Sequence, residues 1–391
     1  MKIAFWLYFF MFIAFFDLHA QYPILTPFAL SLGAAPTFIG WMMGIYSITH
    51  LPGNLLAGRG VDKHGSRRYL IFSLISAGIV LLLQAHVTAP WQLLMLRSMS
   101  GFVLAFLAPA CLALLASLSQ DPIKQGKLMA GHGVMHTLAS VVSPAAGAFL
   151  VAQAGFASTF QSLGWLLIGT GIIAVFLVKG NQGSTPAVSR HLTKGYDEIQ
   201  TTGFRVIPLR FYLLPLAVAC SQGILFFELP LQAGGISGIL NTGLYFSLLS
   251  LGALVTLCML FLHRYSPYVR ATTGVLGMAL AFYSMAANWN IPLAVSLVFL
   301  GMAKGVLFPA MASLFIELSG GKRLGTVFSL QSIAMSLGAF LGPVLAGQIR
   351  HTLSPYFLAF PLLMLLLVTV PPMRKRAKAE RTAGQTPPAV G

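Results

Sequence analysis

The sequence predicts an all-α integral membrane protein with twelve transmembrane helices in two parallel six-helix repeats. Three observations carry that expectation. The 391-residue chain is 57 % hydrophobic and only 8 % charged, with a mean hydropathy of +0.82, whereas soluble domains carry roughly 25 % charged residues. Apolar runs of about 20 residues, long enough to cross a bilayer, recur along its whole length. Lys and Arg fall in every second loop between those runs. The same composition excludes disordered and fibrous classes.

Taken in order, the apolar runs lie at 4–30, 36–57, 69–87, 91–118, 127–153 and 160–179. After a polar stretch they resume at 208–233, 239–262, 271–287, 290–317, 326–348 and 352–371. The expected domains are a six-helix bundle over 1–179, a linker over 180–207, a second bundle over 208–371 and a basic tail over 372–391. The first run begins after Lys2 and could pass for a signal peptide cut after Ala20. Its apolar core is long, however, Asp17 sits just before that cut, and the run continues to Leu32. It is therefore expected to remain as span 1.

Arg59, Lys63, Arg67 and Arg68 follow span 2, and Lys124 and Lys127 follow span 4. Lys179, Arg190, Lys194, Arg205 and Arg210 mark the linker, Arg264 and Arg270 follow span 8, and Lys322 and Arg323 follow span 10. The tail carries five more basic residues. Only Arg97, Lys304 and Arg350 of the 24 Lys and Arg fall elsewhere. Basic loops stay on the cytoplasmic side, so both termini are expected there, in a multi-pass protein of a bacterial inner membrane. The net charge of +16 is then a topology signal, and no nucleic-acid partner is expected. Cys111, Cys220 and Cys258 lie in apolar runs without metal or redox spacing and read as packing residues.

The halves echo each other. Phe15–Gln21 reads FFDLHAQ in span 1, and Phe226–Gln232 reads FFELPLQ in span 7. In each an acid and a Gln four residues on share one helix face. Pro109-Ala110, Gly126 and Pro144 in spans 4 and 5 recur as Pro309-Ala310, Gly325 and Pro343 in spans 10 and 11. Equivalents six spans apart cross the membrane in the same sense, and such parallel repeats suit a rocking transporter with its substrate site between the bundles.

The sharpest local signal is GRGVDKHGSRR, Gly58 to Arg68. It reads as a tight, basic turn between spans 2 and 3, in which Asp62 could pair with an Arg or cap a helix N-terminus. Such a turn could latch the cytoplasmic side or simply set topology. The stretch resembles the loop 2–3 motif of the major facilitator superfamily: Gly58, Asp62, Lys63, Gly65 and Arg67 match, Gly60 replaces the usual Leu and Ser66 the first Arg of the terminal pair. Arg97 to Gly101, RSMSG, resembles the superfamily's Arg-x-x-x-Gly element, often assigned to proton coupling in drug/proton antiporters. Ser143 to Gly147, with Pro144, is a degraded form of the antiporters' Gly-Pro-x-x-Gly element; the better copy, with Gly338, Gly342, Pro343 and Gly347, lies in span 11. The resemblance implies the major facilitator fold, a gating role for the loop, and helix packing or hinge roles for Gly101 and these Pro and Gly residues.

Ionisable groups in hydrocarbon are costly and usually face a cavity or a partner. Asp17 lies about 20 Å into span 1 at about 1.5 Å per residue, and a carboxyl there can exchange a proton unless a cation holds it ionised. Arg97, nearer the outer face, could pair with an acid or attract an anionic substrate, or snorkel to the interface. Glu228 lies late in span 7. Lys304 lies deep in span 10 between Gly301 and Gly305, which could leave room for substrate, although its stem could also reach the inner interface. Gln21 and Gln232 share faces with the two acids. His50, and His132 with His136 one turn later, are softer candidates, and no metal site is expected.

Together these residues predict a proton-coupled secondary transporter exporting a small organic solute as a monomer, with no cofactor beyond the proton gradient. No Walker A pattern is present. A proton symporter importing a sugar or organic acid is the alternative, and a membrane-embedded lipid-modifying enzyme or a scaffold that has lost transport are readings of other classes.

Overall fold

The computed structural model describes residues 2–119, 121–178, 207–232, 235–320 and 324–369. Linker residues 180–206 and the tail 372–391 lie outside them. The described residues form an all-α, multi-span membrane protein.

The first expected span is two helices, α1 (Lys2–Ala20) and α2 (Tyr22–Ser31). Pro23 explains the break, because it has no N–H to donate and its ring collides with the carbonyl four residues back. α3 (Pro36–His64) runs into α4 (Ser66–Gln84). Here the structure corrects the sequence reading: Gly58 to His64 belong to α3, and the turn is Gly65 alone, at φ 90°. Only glycine takes that conformation freely. The fourth span is likewise divided, into α5 (Pro90–Leu104) and α6 (Leu107–Ser117). The fifth and sixth are the two helical segments of α7 (Pro122–Leu177), separated at Gly155, whose φ of 79° and ψ of 173° are not helical. The second half contributes α8 (Leu213–Leu231), α9 (Gly235–Cys258), α10 (Pro267–Ala286), α11 (Leu293–Ser319), α12 (Leu324–Ile349) and α13 (Pro355–Thr369).

Among the described residues, eight stretches are long and apolar enough to cross a membrane by themselves. One of them, Gly131–Leu177, contains the bend at Gly155. α13 is apolar but has only 15 residues. Large apolar side chains cover the outside, with Phe176 78 % and Val368 81 % exposed. A skin of that kind is stable against lipid, not water.

Within each half, helices approach closely where a side chain is missing. A Cβ on Gly301 would collide with the carbonyl of Leu249, one on Gly338 with that of Leu216, and one on Gly101 with that of Tyr46. Small residues at crossings let backbones meet where lipid supplies no hydrophobic drive. Gly342 likewise faces Cys220, and Gly147 faces Ala20. Cys111 and Cys220 are buried as expected, but Cys258 is exposed, because it ends α9.

Contacts between the halves gather toward the end of the molecule that carries Gly33. Gly40 and Gly44 of α3 meet Pro343 and Phe340 of α12, Gly347 meets Pro36, and Gly243 of α9 meets Pro144 and Ala148 of α7. Ser247 accepts a hydrogen bond from the Ala145 N–H at 3.2 Å. Tyr22 stacks on Phe226 with ring centroids 4.4 Å apart. A cavity lies behind this layer, on the side toward Gly65.

Substituting Gly338 by Leu should lower the thermal stability of the detergent-purified protein by about 1–3 kcal/mol, the usual cost of overpacking. Gly169→Ala, where an added Cβ has nothing within 4 Å, should leave the melting temperature unchanged.

Candidate functional site

The cavity between the halves has two lobes. One, of about 350 Å³, is lined by Gln21, Tyr46, His50, Asn54, Arg97 and Ser336, among others. The second, of about 340 Å³, is lined by His19, His136, Ser140, Ser250 and Lys304 together with apolar side chains. Tyr22, Gln222, Phe226 and Met335 line both.

The first lobe is built on the break in span 1. Gln21 stands between α1 and α2 and uses both ends of its amide. Its Nε2 donates to Asp17 Oδ1 at 2.9 Å, and its Oε1 accepts from Arg97 Nη1 at 2.9 Å. Asp17 is 2 % exposed and Arg97 6 %. The acid and the base are thus joined through one neutral amide, with Asp17 behind it and Gln21 and Arg97 at the wall. The guanidinium also lies 4.7 Å from the centre of the Tyr46 ring, a cation–π contact that offsets part of the cost of burial. This placement excludes snorkelling of Arg97 to the interface.

Below Tyr46, His50 and Asn54 continue a polar stripe along α3, their side chains 2.8 Å apart. Tyr46, His50 and Asn54 recur every four residues and so share one face of α3. That spacing was the available signal for Tyr46 and Asn54, which sequence reasoning missed. Tyr22, Gln222 and Phe226 gave no comparable signal.

In the second lobe, Lys304 Nζ lies 5.6 Å from the Phe308 ring centre. His19 and His136 pack edge to face, with centroids 5.0 Å apart, and Phe15 contacts His136 and His132. His19 Nδ1 is 2.7 Å from the Phe15 carbonyl. Among the described residues, no group of three His, Cys, Asp or Glu is placed to hold a metal.

The structure separates Glu228 and Gln232 from this cavity. Gln232 donates to Glu228 at 3.2 Å, repeating the Asp17–Gln21 pair. The acid's partner, however, is Arg350, whose Nε lies 3.0 Å from Oε2. These residues line a different pocket, with Asn288, His351 and Tyr356. The local motif recurs, but the helix that supplies its cation differs.

In the Gly58–Arg68 stretch, the surroundings of Gly58 and the side chain of Asp62 lie outside the described set. Lys63 is exposed. Arg67 donates to the Val175 carbonyl at the end of α7, a tie within the first half.

Replacing Gln21 by Leu should strand two buried charged groups. It is expected to cost about 3–5 kcal/mol of stability, as for breaking a buried ion pair, measurable by thermal unfolding. Gln21→Glu should retain more of it, because the new carboxylate can accept from Arg97.

The sequence matches the family described as Major Facilitator Superfamily over residues 7–286 and 264–390. The uncharacterized MFS-type transporter YuxJ of Bacillus subtilis is 26 % identical over 338 residues, spanning 81 % of this chain and 83 % of that protein. The quinolone resistance protein NorA of Staphylococcus aureus is 22 % identical over 385 residues, spanning 92 % and 93 %. Among solved structures, a bacterial homolog of the human lysosomal transporter Spinster, inward-facing and unoccupied, superposes with a TM-score of 0.71 at 13 % identity over 94 % of each chain. With the helical fold, the cavity between its halves and these matches together, the chain belongs to the Major Facilitator Superfamily.

Proposed function

We propose that this transporter couples solute movement to protons, and that it exports a small organic solute across a bacterial inner membrane. As a family member it moves a small solute by alternating access and is not an enzyme. The observation that carries the coupling is the Asp17–Gln21–Arg97 chain at the cavity wall. Protonating the buried carboxyl takes this network from net neutral to +1 and leaves the Arg97 guanidinium as the uncompensated charge at the cavity wall. The cavity gives solute access to the same network. In this reading Asp17 carries the proton, Gln21 relays its state, and Arg97 reports it to the cavity.

The chain crosses the bilayer twelve times as two six-helix repeats, 1–179 and 208–371, joined by the cytoplasmic linker 180–207. Both termini, with the tail 372–391, are cytoplasmic, and the monomer suffices. Export draws its support from the resistance function in the name of NorA, 22 % identical to this chain. Gly58, Asp62, Lys63, Gly65 and Arg67 form the cytoplasmic gating element, while Glu228 and Gln232 brace the outer end through Arg350. A second reading, uptake of an organic acid with a proton, is favoured by Lys304 in the cavity.

In sealed proteoliposomes under a pH gradient, one member of a panel of lipophilic cations, sugars and organic acids should elicit proton movement. Asp17→Asn, which keeps an acceptor for Gln21, should abolish that movement. Proton flux unchanged in the variant would overturn the role of Asp17, and the sign of the solute gradient generated decides direction.

Alternating access makes a separate prediction. Gly40→Leu cannot close against Pro343 and should hold the Gly33 end apart. In a Cys258→Ser background, Ser336→Cys in the cavity should then react with an impermeant maleimide added outside, faster than without the Gly40 change.

A further inference from the structure

We infer that the Lys304 lobe is the subsite for the acidic head of the solute, so that the cargo is an organic anion with an apolar body. The inference rests on the transport reading and specifies its substrate class. The chain has eight acids, and among the described residues none lines either lobe. Asp17 is buried behind Gln21, Glu228 is tied to Arg350 in another pocket, and Asp121 and Glu317 are exposed. Asp62 has a side chain outside the described set, and Asp197, Glu198 and Glu380 lie outside the described residues.

The cations, by contrast, are in the cavity. Arg97 is already engaged by Gln21 and Tyr46. Lys304 is not so committed: among the described residues no carboxylate lies within 4.0 Å of it, and its neighbour is the Phe308 ring. An ammonium in a membrane interior calls for a counter-charge.

A second observation agrees. Gln222 lines both lobes, and its Nε2 is buried without a hydrogen-bond partner. Ammonium and amide N–H groups are donors only. A buried donor left unpaired is costly, and an anion offering acceptor oxygens would satisfy both. Apolar surface beside them, from Phe226, Phe246, Leu249 and Phe308, suits a hydrocarbon or aromatic body. A lipophilic cation would place its charge against Lys304 with no acid to receive it.

The test uses the purified full-length chain in detergent, where binding needs no gradient. Three probes share one ring system: naphthalene-2-carboxylate, 2-naphthalenemethanol and 2-naphthylmethylammonium. Only the carboxylate should raise the melting temperature. Lys304→Gln should weaken its binding by roughly tenfold or more, as expected for losing a buried charge partner, and Lys304→Arg should restore most of it. Preference for the ammonium probe, binding of none of the three, or undiminished carboxylate binding by Lys304→Gln would each overturn the inference. If Lys304→Gln fails to fold, Gln222→Leu provides the same comparison, with a smaller loss expected and an unchanged affinity overturning the inference. Carboxylate bound through Lys304 but never moved with protons in proteoliposomes would defeat the coupling reading and leave the subsite standing. Asp17-dependent flux of a cation, insensitive to Lys304, would do the reverse.

Discussion

The two hydrogen bonds of Gln21 are the interaction on which the rest of the site depends. A carboxyl and a guanidinium cannot both sit in a membrane interior without partners. Contact of Asp17 with Arg97 through one amide reconciles burial with charge. The amide faces both groups: helical spacing sets it one turn beyond Asp17, with its backbone N–H on the Asp17 carbonyl at 3.3 Å, and helix packing brings Arg97 to its other end.

The closed end follows from different physics. Lipid tails do not drive apolar helices together, so the halves meet through backbone approach and ring stacking. Gly40, Gly44 and Gly243 place one helix against the carbonyls or side chains of another, and Tyr22 stacks on Phe226 directly above the cavity. These contacts, with the small buried cluster in which Ile239 joins Ile24, Ala148 and Val151, confine the closure to one end of the molecule. That property fits a family whose members expose one site to two sides in turn.

The repeat shows what duplication keeps and what it releases. Asp17 with Gln21 and Glu228 with Gln232 retain the same one-turn hydrogen bond. The first pair turns toward Arg97 and the cavity, the second toward Arg350 and the opposite end. A local pattern is preserved by helix geometry alone, whereas the third member depends on which helix packs alongside.

The sequence by itself determined the membrane class, the apolar runs, and the same-face pairing of each acid with its Gln. Backbone groups in lipid must bond within their own helix, so a long apolar run is already a statement of structure, and a four-residue spacing already a statement of contact. Only the tertiary structure decided that Arg97 reaches Gln21 across 76 positions and Arg350 reaches Glu228 across 122. It also reduced the Gly58–Arg68 turn to Gly65, placed the turn between spans 5 and 6 at Gly155, and gathered Lys304, His19 and His136 in one lobe. The reason is physical. A soluble helix marks its buried face by polarity, but a helix in lipid is apolar on both its buried and its exposed faces. Its rotation, and so the partners of its few polar groups, is set by packing between helices that hydropathy does not record.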